Sequence, residues 1–296
     1  MDLAGMLMNI QDFYTSDRTG LSFELFPPKT EKGELNLFRH LKKLTEFQPD
    51  YVTCTYGAGG STQAKTLELV SKVKSEFNLP VASHLTVVGS TVDDLRTYLG
   101  AARQKGIDYI VALRGDPPLG ESAFRAAEGG LSYANELVAL IREEFPEFGI
   151  AVAGYPEKHR EAVSLDVDLD HLKRKVDSGS DIIITQLFYE NGDFYRFVDK
   201  CRGLGIEAPI VPGILPVVNL SQIKRITSLC DAKLPTDFQE QLENAESDEQ
   251  QLEIGIDYAT RQVDDLISNG ACGVHFYVLN KSESASKVLD ALNFNR

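Results

Sequence analysis

Short apolar runs recur along the chain, each bounded by polar residues, glycine or proline. Runs of this length that are rich in β-branched and aromatic residues predict buried β-strands. They occupy residues 21–26, 51–56, 81–86, 109–114, 150–155, 181–188, 209–215 and 273–279. Segments between them, such as 66–77, 93–106 and 137–145, have apolar residues at helical spacing. The chain therefore predicts alternating strands and helices.

The spacing of the strands favours one architecture. The first four begin about 30 residues apart, the length of one βα unit, and eight such units in 296 residues predict a (β/α)8 TIM barrel forming a single domain over residues 1–296. A doubly wound open sheet is the alternative, but it usually has a glycine-rich turn after its first strand. Here Pro27 and Pro28 follow that strand.

Two features lie outside the regular repeat. The first residues, up to Tyr14, predict a short amphipathic helix. About 60 residues separate the seventh and eighth strands, an insertion that contains an acidic stretch from Glu240 to Glu253. We expect this stretch to be a solvated helical face with a turn near Ser247.

Charge and composition narrow the functional classes. The net charge of −14 argues against binding to a nucleic-acid backbone, because such proteins need basic faces. The four cysteines have no CxxC spacing, so we expect reduced thiols and no metal site. The first residues lack the basic segment of a signal peptide, and no apolar run reaches the length of a membrane span. We therefore expect a cytoplasmic protein.

Polar residues interrupt the predicted strands near their carboxyl ends, where barrel enzymes place their active sites. A lone carboxylate in an apolar strand, such as Glu24, is costly to bury. The polar residues at these ends are Glu24, Thr53, Thr55, His84, Thr86, Arg114, Asp116, Tyr155, His159, Thr185, Gln186 and His275.

Several of these features have two readings. His84 is either a functional residue or a satisfied core histidine. Arg114 and Asp116 are either site residues or a structural ion pair. The glycine-rich loop 57–60 is either a backbone cradle for phosphate or merely a flexible connection.

The segment 166–179 predicts a helix whose positions 168, 172 and 175 share one face. Arg174 and His171 flank that face. The charges are either solvated or form a local cationic site suited to a phosphate or pyrophosphate.

Taken in order, the motifs of this chain resemble the methylenetetrahydrofolate reductase family. The resemblance is carried by SFELFPPKT, TYGAGGST, HLT, ALRGDPP, YPEKH, LKRKVDSGSD, ITQLFY, PGILPV and HFYVLN, which run from the first strand to the eighth. It implies a barrel flavoprotein that passes hydride from NAD(P)H through FAD to 5,10-methylenetetrahydrofolate by ping-pong kinetics. The product, 5-methyltetrahydrofolate, feeds methionine synthesis.

The resemblance also implies roles for individual residues. Glu24 matches the general acid that protonates N10 of the folate and opens its ring to a 5-iminium cation. Apolar neighbours such as Phe23, Leu25 and Phe26 would keep Glu24 protonated, whereas an ion pair with Arg114 would favour its carboxylate. Asp116 matches the aspartate near the flavin and the pterin.

The remaining implied contacts fall into two sets. FAD contacts are implied for Thr55, His84, Arg114, Gly115, Asp116, Tyr133, Ala134, Tyr155, His159, Asp168, His171, Arg174 and Lys175. Folate contacts are implied for Glu24, Asp116, Gln186, Leu220 and Lys281. Relatives can carry asparagine at position 171, phenylalanine at 220 and arginine at 281, so these three positions depart from the family pattern.

Two other functions stay open at the level of sequence. One is an FAD-free barrel lyase acting on a phosphorylated substrate. The other is a folate-binding or methyl-carrier partner protein without redox chemistry. Within the favoured reading, resemblance to the bacterial type favours NADH over NADPH, and the family commonly forms homo-oligomers.

Overall fold

The computed structural model describes residues 8–15, 17–55, 63–117 and 124–294. The predicted glycine-rich loop 57–60 lies outside these residues, as does most of the predicted N-terminal helix. The described part of that segment is a short 3-10 helix, Ile10–Phe13.

Parallel strands form the centre of the molecule and close into a barrel, as the sequence predicts. Their spatial order is β7, β6, β5, β4, β3, β2, β1, β9, β8. The strands are β1 (Gly20–Leu25), β2 (Tyr51–Cys54), β3 (Val81–Thr86), β4 (Tyr109–Leu113), β5 (Gly149–Gly154), β6 (Ile182–Thr185), β7 (Ile210–Val211), β8 (Gly213–Ile214) and β9 (Gly273–Tyr277).

The predicted seventh strand is split in two. Pro212 separates β7, which pairs with β6, from β8, which pairs with β9. Proline has no N–H to donate to a sheet, so the ladder changes partner there. The N–H of Gly213 instead donates to the side chain of Thr185 at 2.9 Å. The two halves together occupy the seventh position of an eight-membered barrel.

Helices follow the strands and cover the outside of the barrel. They are α1 (Glu31–Leu44), α2 (Gln63–Phe77), α3 (Val92–Gln104), α4 (Ala134–Glu144), α5 (Leu165–Asp177), α6 (Asn191–Gly203), α7 (Leu220–Cys230), α8 (Thr236–Glu243), α9 (Asp248–Ser268) and α10 (Glu283–Ala291). None of these helices is long and apolar enough to cross a bilayer, among the residues that the structure describes.

The insertion has the predicted helical form. Its acidic stretch spans the end of α8 and the start of α9, and Ser247 caps α9 by accepting a hydrogen bond from the N–H of Gln250. The expected turn near Ser247 is thus confirmed, because a serine N-cap satisfies an otherwise orphan N–H. Beneath these helices lies a separate apolar cluster that includes Tyr189, Phe238 and Leu242.

Alternation along each strand divides the core into an inner and an outer part. On β1, Leu21, Phe23 and Leu25 pack into the layer between barrel and helices, while Ser22 and Glu24 contact groups inside the barrel. This is the period of two expected for a strand.

The lower interior of the barrel is apolar and aromatic. Its amino-terminal end is filled by Ile10, Phe13 and Tyr14 together with Tyr51 and Tyr109. The polar interior positions thus lie near the carboxyl ends of the strands.

Several predicted strands extend past the observed ones, and two of them show the reason. The predicted strand 181–188 ends at Thr185, and the predicted strand 51–56 ends at Cys54. Leu187 and Phe188 are apolar because they are buried in loops, so hydrophobicity alone could not mark where pairing stops.

Candidate functional site

A carboxyl group between two imidazoles forms the inner part of the site. Glu24 on β1 is buried, with 7% of its surface exposed. Its Oε2 lies 3.4 Å from Nε2 of His84 on β3 and 3.8 Å from Nε2 of His275 on β9. Three strands thus bring one acid and two bases together at the catalytic end of the barrel.

The surroundings of Glu24 differ from the sequence-based expectation. The side chains of Phe23 and Leu25 lie in the outer core layer, so they do not surround the carboxyl group as predicted, because strand neighbours point to opposite faces. The alternative ion pair with Arg114 is also wrong, since Arg114 pairs with Glu161 at 2.6 and 2.8 Å.

His84, beside Glu24, is held in an environment that disfavours its charged form. Burial lowers the pKa of His84, and His275 lowers it further, while the Glu24 carboxylate opposes both effects. A neutral imidazole can donate one hydrogen bond and accept another. The cluster therefore supports hydrogen bonding to the carboxyl group more than a permanent ion pair with it.

Asn280 fixes the end of the strand that carries Glu24. Its side-chain oxygen accepts from the N–H of Phe26 at 2.8 Å, and its amide nitrogen donates to the carbonyl of Phe26 at 2.7 Å. Leu279 and Asn280 both have left-handed backbone conformations, with φ of 48° and 59°. Such conformations persist only when contacts enforce them, and this double hydrogen bond is one such contact.

A cavity of about 620 Å³ lies at the ends of β4 and β5 and along α5. It gathers most of the residues predicted to bind the cofactor. These are Arg114, Tyr133, Ala134, Tyr155, His159, Asp168, His171, Arg174 and Lys175. The predicted helix face is confirmed, because Asp168 and Leu172 are buried on α5 and Lys175 is half-buried.

The loop after β5 is tied to this helix. Buried Asp168 accepts a hydrogen bond from the N–H of His159 at 2.9 Å. Lys158, the residue before His159, has a φ of 130°, a backbone conformation that residues other than glycine rarely adopt. Its ammonium group donates to the carbonyls of His159 and Ala162, so the strained turn is closed by its own side chain.

Lys175 and Tyr155 give the cavity its electrostatic character. Burial lowers the pKa of Lys175 to about 8, and the nearby Asp168 carboxylate opposes that shift. The same ammonium group donates to the carbonyl of Ala153 at 2.5 Å and lies 5.9 Å from the ring centre of Tyr155. Burial raises the pKa of Tyr155, with Asp168 and Asp116 adding to the effect, so Tyr155 is a hydroxyl donor at neutral pH.

Of the two readings of Arg114 and Asp116, the structural ion pair is not the one observed, because the salt bridge of Arg114 is with Glu161. Arg114 forms two hydrogen bonds with Glu161 and thereby joins the end of β4 to the loop after β5. Asp116 is exposed and is close enough to Arg114 and Tyr155 to raise the pKa of each. Its carboxylate is therefore available to a ligand.

Gly115 lets the loop after β4 pass close to Val88 in the loop after β3. It has a φ of 87°, and a Cβ at this position would lie 2.6 Å from Cγ1 of Val88. Thr55, another predicted cofactor residue, is half-buried at the end of β2, where its N–H donates to the carbonyl of Leu25. Thr55, His84, Gly115 and Asp116 thus lie at the ends of β2, β3 and β4 rather than along α5.

Besides Glu24 and Asp116, three predicted folate residues lie in different parts of the fold. Gln186 follows β6, and its side-chain oxygen accepts from the N–H of Leu187 at 2.8 Å, which leaves its NH₂ group to donate. Lys281 is exposed after β9. Leu220 begins α7, packs against the apolar cluster of the insertion and lines a separate surface cavity. The structure does not bring Leu220 into the cavity beside α5.

Two residues of the site were not recognised from the sequence. Glu161, the partner of Arg114, comes after the YPEKH motif in a polar loop with no distinguishing pattern. Ser22 donates to or accepts from Nδ1 of His275 at 2.8 Å. The sequence does contain one indication of the role of Ser22. It lies two residues before Glu24 on the same strand, and residues two apart on a strand share a face.

The cavity suits a large ligand that carries phosphate. Its cations are Arg114, Arg174 and Lys175, which line it together with tyrosine and histidine side chains. The first turn of α4 also lines the cavity, and helix N-termini favour anions. An FAD molecule has an aromatic ring system, hydroxyl groups and a pyrophosphate, and this set of donors matches them. The residues present therefore fit the predicted cofactor.

Comparison with known proteins identifies the family. Residues 9–293 match the family model described as methylenetetrahydrofolate reductase. The chain is 40% identical over 283 residues to methylenetetrahydrofolate reductase (NADH) 1 of Arabidopsis thaliana, an alignment that covers 92% of this chain and 48% of that protein. The chain thus spans about half the length of this plant relative.

A bacterial relative is matched over nearly its whole length. The chain is 37% identical over 273 residues to 5,10-methylenetetrahydrofolate reductase of Escherichia coli, which covers 92% of this chain and 90% of that protein. Among solved structures, an uncharacterized Clostridium thermocellum protein that binds two copies of 5-methyl-5,6,7,8-tetrahydrofolic acid superposes with a TM-score of 0.63. At 14% identity, with 96% and 98% of the two chains covered, that likeness shows the fold alone.

Proposed function

Because this chain belongs to the methylenetetrahydrofolate reductase family, we propose that it reduces 5,10-methylenetetrahydrofolate to 5-methyltetrahydrofolate, with NADH as the electron donor. The product would supply the methyl group for methionine synthesis. NADH is preferred over NADPH because the name of the plant relative specifies it.

The single observation that carries the proposal is the setting of Glu24. A buried carboxyl group with one oxygen between two imidazoles is suited to deliver a proton from a fixed position. In this reaction the proton goes to N10 of the folate and opens the five-membered ring, which creates the iminium carbon that accepts hydride. Glu24 is accordingly the general acid of the proposal.

FAD is the cofactor of the proposal, and it would carry hydride from NADH to the folate in two separate half-reactions. In the cavity beside α5, Arg174 and Lys175 would hold its phosphates and Asp168 its hydroxyl groups. The exposed carboxylate of Asp116 would stabilise the cationic folate iminium. Gln186 would donate to the pterin, and Lys281 would pair with the glutamate tail as a point charge without the bidentate geometry of arginine.

Anaerobic half-reactions test the proposal. Purified protein should show the absorbance of oxidised flavin, lose it when NADH is added and regain it when 5,10-methylenetetrahydrofolate follows. NADPH in a parallel reaction should bleach the protein more slowly. Protein that takes up no added FAD contradicts the proposal. Protein that NADH bleaches and methylenetetrahydrofolate does not reoxidise is a different flavin reductase.

An FAD-free lyase acting on a phosphorylated substrate is the second candidate, favoured only by the cations of the cavity. The same purification separates the two functions, since a lyase would be colourless and indifferent to NADH. A folate-binding partner protein would bind folate without changing the flavin spectrum.

A further inference from the structure

His275 has an unusual position in the barrel. Its side chain is fully buried, and its Nε2 is a buried polar atom without a hydrogen-bond partner in the structure. That nitrogen lies 3.8 Å from Oε2 of Glu24. Buried polar atoms are nearly always paired, so an unpaired one beside a catalytic acid points to a contact that forms during the reaction.

The hydrogen bond at Nδ1 of His275 determines which of its two ring nitrogens carries the proton. Nδ1 lies 2.8 Å from Oγ of Ser22, which in turn lies 3.4 Å from the hydroxyl of Tyr14. The hydroxyls of Tyr14 and Tyr51 are 2.7 Å apart. Burial raises the pKa of both tyrosines, which keeps both phenols protonated as donors.

The count of protons favours one direction for these hydrogen bonds. The hydroxyls of Tyr51, Tyr14 and Ser22 bring three protons to three contacts. If Nδ1 of His275 accepts from Ser22, each of these protons has an acceptor, whereas a proton on Nδ1 would leave one hydroxyl proton without an acceptor among the three contacts. An imidazole that accepts at Nδ1 carries its proton at Nε2. That N–H is directed at Glu24.

We propose that His275 positions Glu24 by donating its Nε2–H to Oε2, which leaves Oε1 as the oxygen that delivers the proton to the folate. His84 also has its nearest Glu24 contact at Oε2, and a carbonyl oxygen has lone pairs for two donors. The 3.8 Å separation must shorten by about 1 Å to reach a normal hydrogen bond, as catalytic contacts often do when substrate binds. This inference rests on the proposed function of Glu24.

The first test reads the tautomer and requires no activity. Two-bond ¹H–¹⁵N correlation spectra of ¹⁵N-histidine-labelled protein separate imidazoles protonated at Nε2 from those protonated at Nδ1. The chain has five histidines, so a His275→Asn sample assigns the His275 signal by its loss. We expect the Nε2–H form in wild type and a larger share of the Nδ1–H form in Ser22→Ala. A wild-type His275 protonated at Nδ1 overturns the inference, whatever the protein catalyses.

The second test compares two substitutions that differ in reach. The side-chain nitrogen of glutamine can occupy the place of Nε2, whereas that of asparagine reaches only the place of Nδ1. We expect His275→Asn to slow flavin reoxidation by methylenetetrahydrofolate by up to about 10²-fold, the cost of misplacing a catalytic group by about 1 Å. His275→Gln should recover part of that loss. Reduction by NADH should stay near wild type in both variants, because it needs no proton from Glu24.

Ser83→Ala is the control for losing a buried hydroxyl, since Ser83 bonds to Tyr98 at 2.6 Å. It should leave both half-reactions near wild type. Equal losses in the two half-reactions of His275→Asn, or full activity, overturn the inference and leave the proposed function standing. A wild-type protein that methylenetetrahydrofolate does not reoxidise overturns the proposed function itself. Should His275→Asn fail to fold, Ser22→Ala decides the matter, with slowed reoxidation expected and an unchanged rate contradicting it.

Discussion

Glu24 depends on side chains from other strands. Its sequence neighbours Phe23 and Leu25 face the helices, while His84 and His275 reach its carboxyl group from β3 and β9. The contacts that hold this carboxyl group therefore come from other strands and not from its neighbours in the sequence.

Replacing this acid should separate the two half-reactions. We expect Glu24→Gln to bind FAD and to be reduced by NADH at close to the wild-type rate, because the amide keeps the shape of the side chain. Reoxidation by methylenetetrahydrofolate should fall by about 10²- to 10⁴-fold, the usual contribution of a general acid. Stopped-flow absorbance of the flavin under anaerobic conditions measures both rates.

The matched control is Glu46→Gln, a similar change in the short 3-10 helix Thr45–Phe47 on the outside of the barrel. Both of its half-reactions should equal those of wild type. Reoxidation of Glu24→Gln at full speed would remove Glu24 from the role of acid.

Lys175 predicts a pH dependence of cofactor binding. Its pKa of about 8 means that the free site loses this cation as the pH rises through 8. An anionic ligand prefers the protonated amine, so the dissociation constant of FAD should increase between pH 7 and pH 9. Lys175→Met should bind FAD more weakly at pH 7 and lose that part of the pH dependence. Fluorescence titration of flavin into protein freed of cofactor measures both effects.

The stability of the cofactor-free protein should respond in the opposite direction. Lysine in an unfolded chain has a pKa of about 10.4, so between pH 8 and that value the unfolded state binds a proton that the folded state does not. The contribution of Lys175 to the free energy of unfolding therefore rises with pH in that window.

Lys200→Met is the control for the flavin titration of Lys175→Met. Lys200 pairs with Asp166 on the exposed surface, so FAD binding by Lys200→Met should match that of wild type.

At the residue scale, the sequence predicted which polar side chains matter better than it predicted their partners. Asp168 and Lys175 were placed together correctly, because helical spacing is a local property. The sequence left open whether Arg114 pairs with Asp116, and the structure pairs it with Glu161, which approaches from another loop. Contacts between loops depend on tertiary geometry that no local pattern contains.

At the element scale, the turn after β4 depends on one glycine. Gly115→Ala would place a methyl group 2.6 Å from Cγ1 of Val88 at a φ of 87°. We expect it to lower the free energy of unfolding by about 1–3 kcal/mol and to weaken FAD binding by displacing Arg114. Denaturant unfolding and flavin titration provide the two measurements.

A second glycine provides the control for this change. Gly100 lies inside α3, and a Cβ there would meet nothing within 4 Å. Gly100→Ala should raise the free energy of unfolding by about 0.5–1 kcal/mol, since alanine is the better helix former, and should leave flavin binding unchanged. Equal effects of the two substitutions would show that the β4 turn has no special requirement for glycine.

Strand positions were predictable because buried parallel strands are continuous apolar runs. The break at Pro212 was not predicted, since the run 209–215 stays apolar on both sides of the proline. The strand breaks because Pro212 has no N–H to donate. Only the pairing of β7 with β6 and of β8 with β9 shows that a hydrogen bond would have been needed at this position.

At the scale of the whole molecule, the 3-10 helix Ile10–Phe13 packs into the amino-terminal end of the barrel. Phe13 stacks near Tyr51 and meets Tyr109 edge-on, with ring centres 5.9 and 6.1 Å apart. Because these rings belong to β2 and β4, the segment stabilises the whole barrel. Phe13→Ala should lower the free energy of unfolding by about 3–5 kcal/mol, with the far-UV signal and flavin release shifting together in a thermal scan.

Met8→Ala is the comparison for this change. The Met8 side chain is 43% exposed, and the hydrogen bond from the hydroxyl of Tyr109 goes to its backbone carbonyl, which the substitution keeps. Its effect should stay within about 0.5 kcal/mol. If Phe13→Ala shifted only one of the two signals, the segment would be a local appendage.

The split at Pro212 gives the closed ring a seam. On either side of it only two residues pair with each neighbour, whereas β3 and β4 pair over five. Amide hydrogens close to this seam should therefore exchange with deuterium before those of β3 and β4. The first residues after the seam lead directly into the insertion, so the short pairings of β7 with β6 and of β8 with β9 should open transiently while β1 and β3, which carry Glu24 and His84, stay paired with β2 and β4.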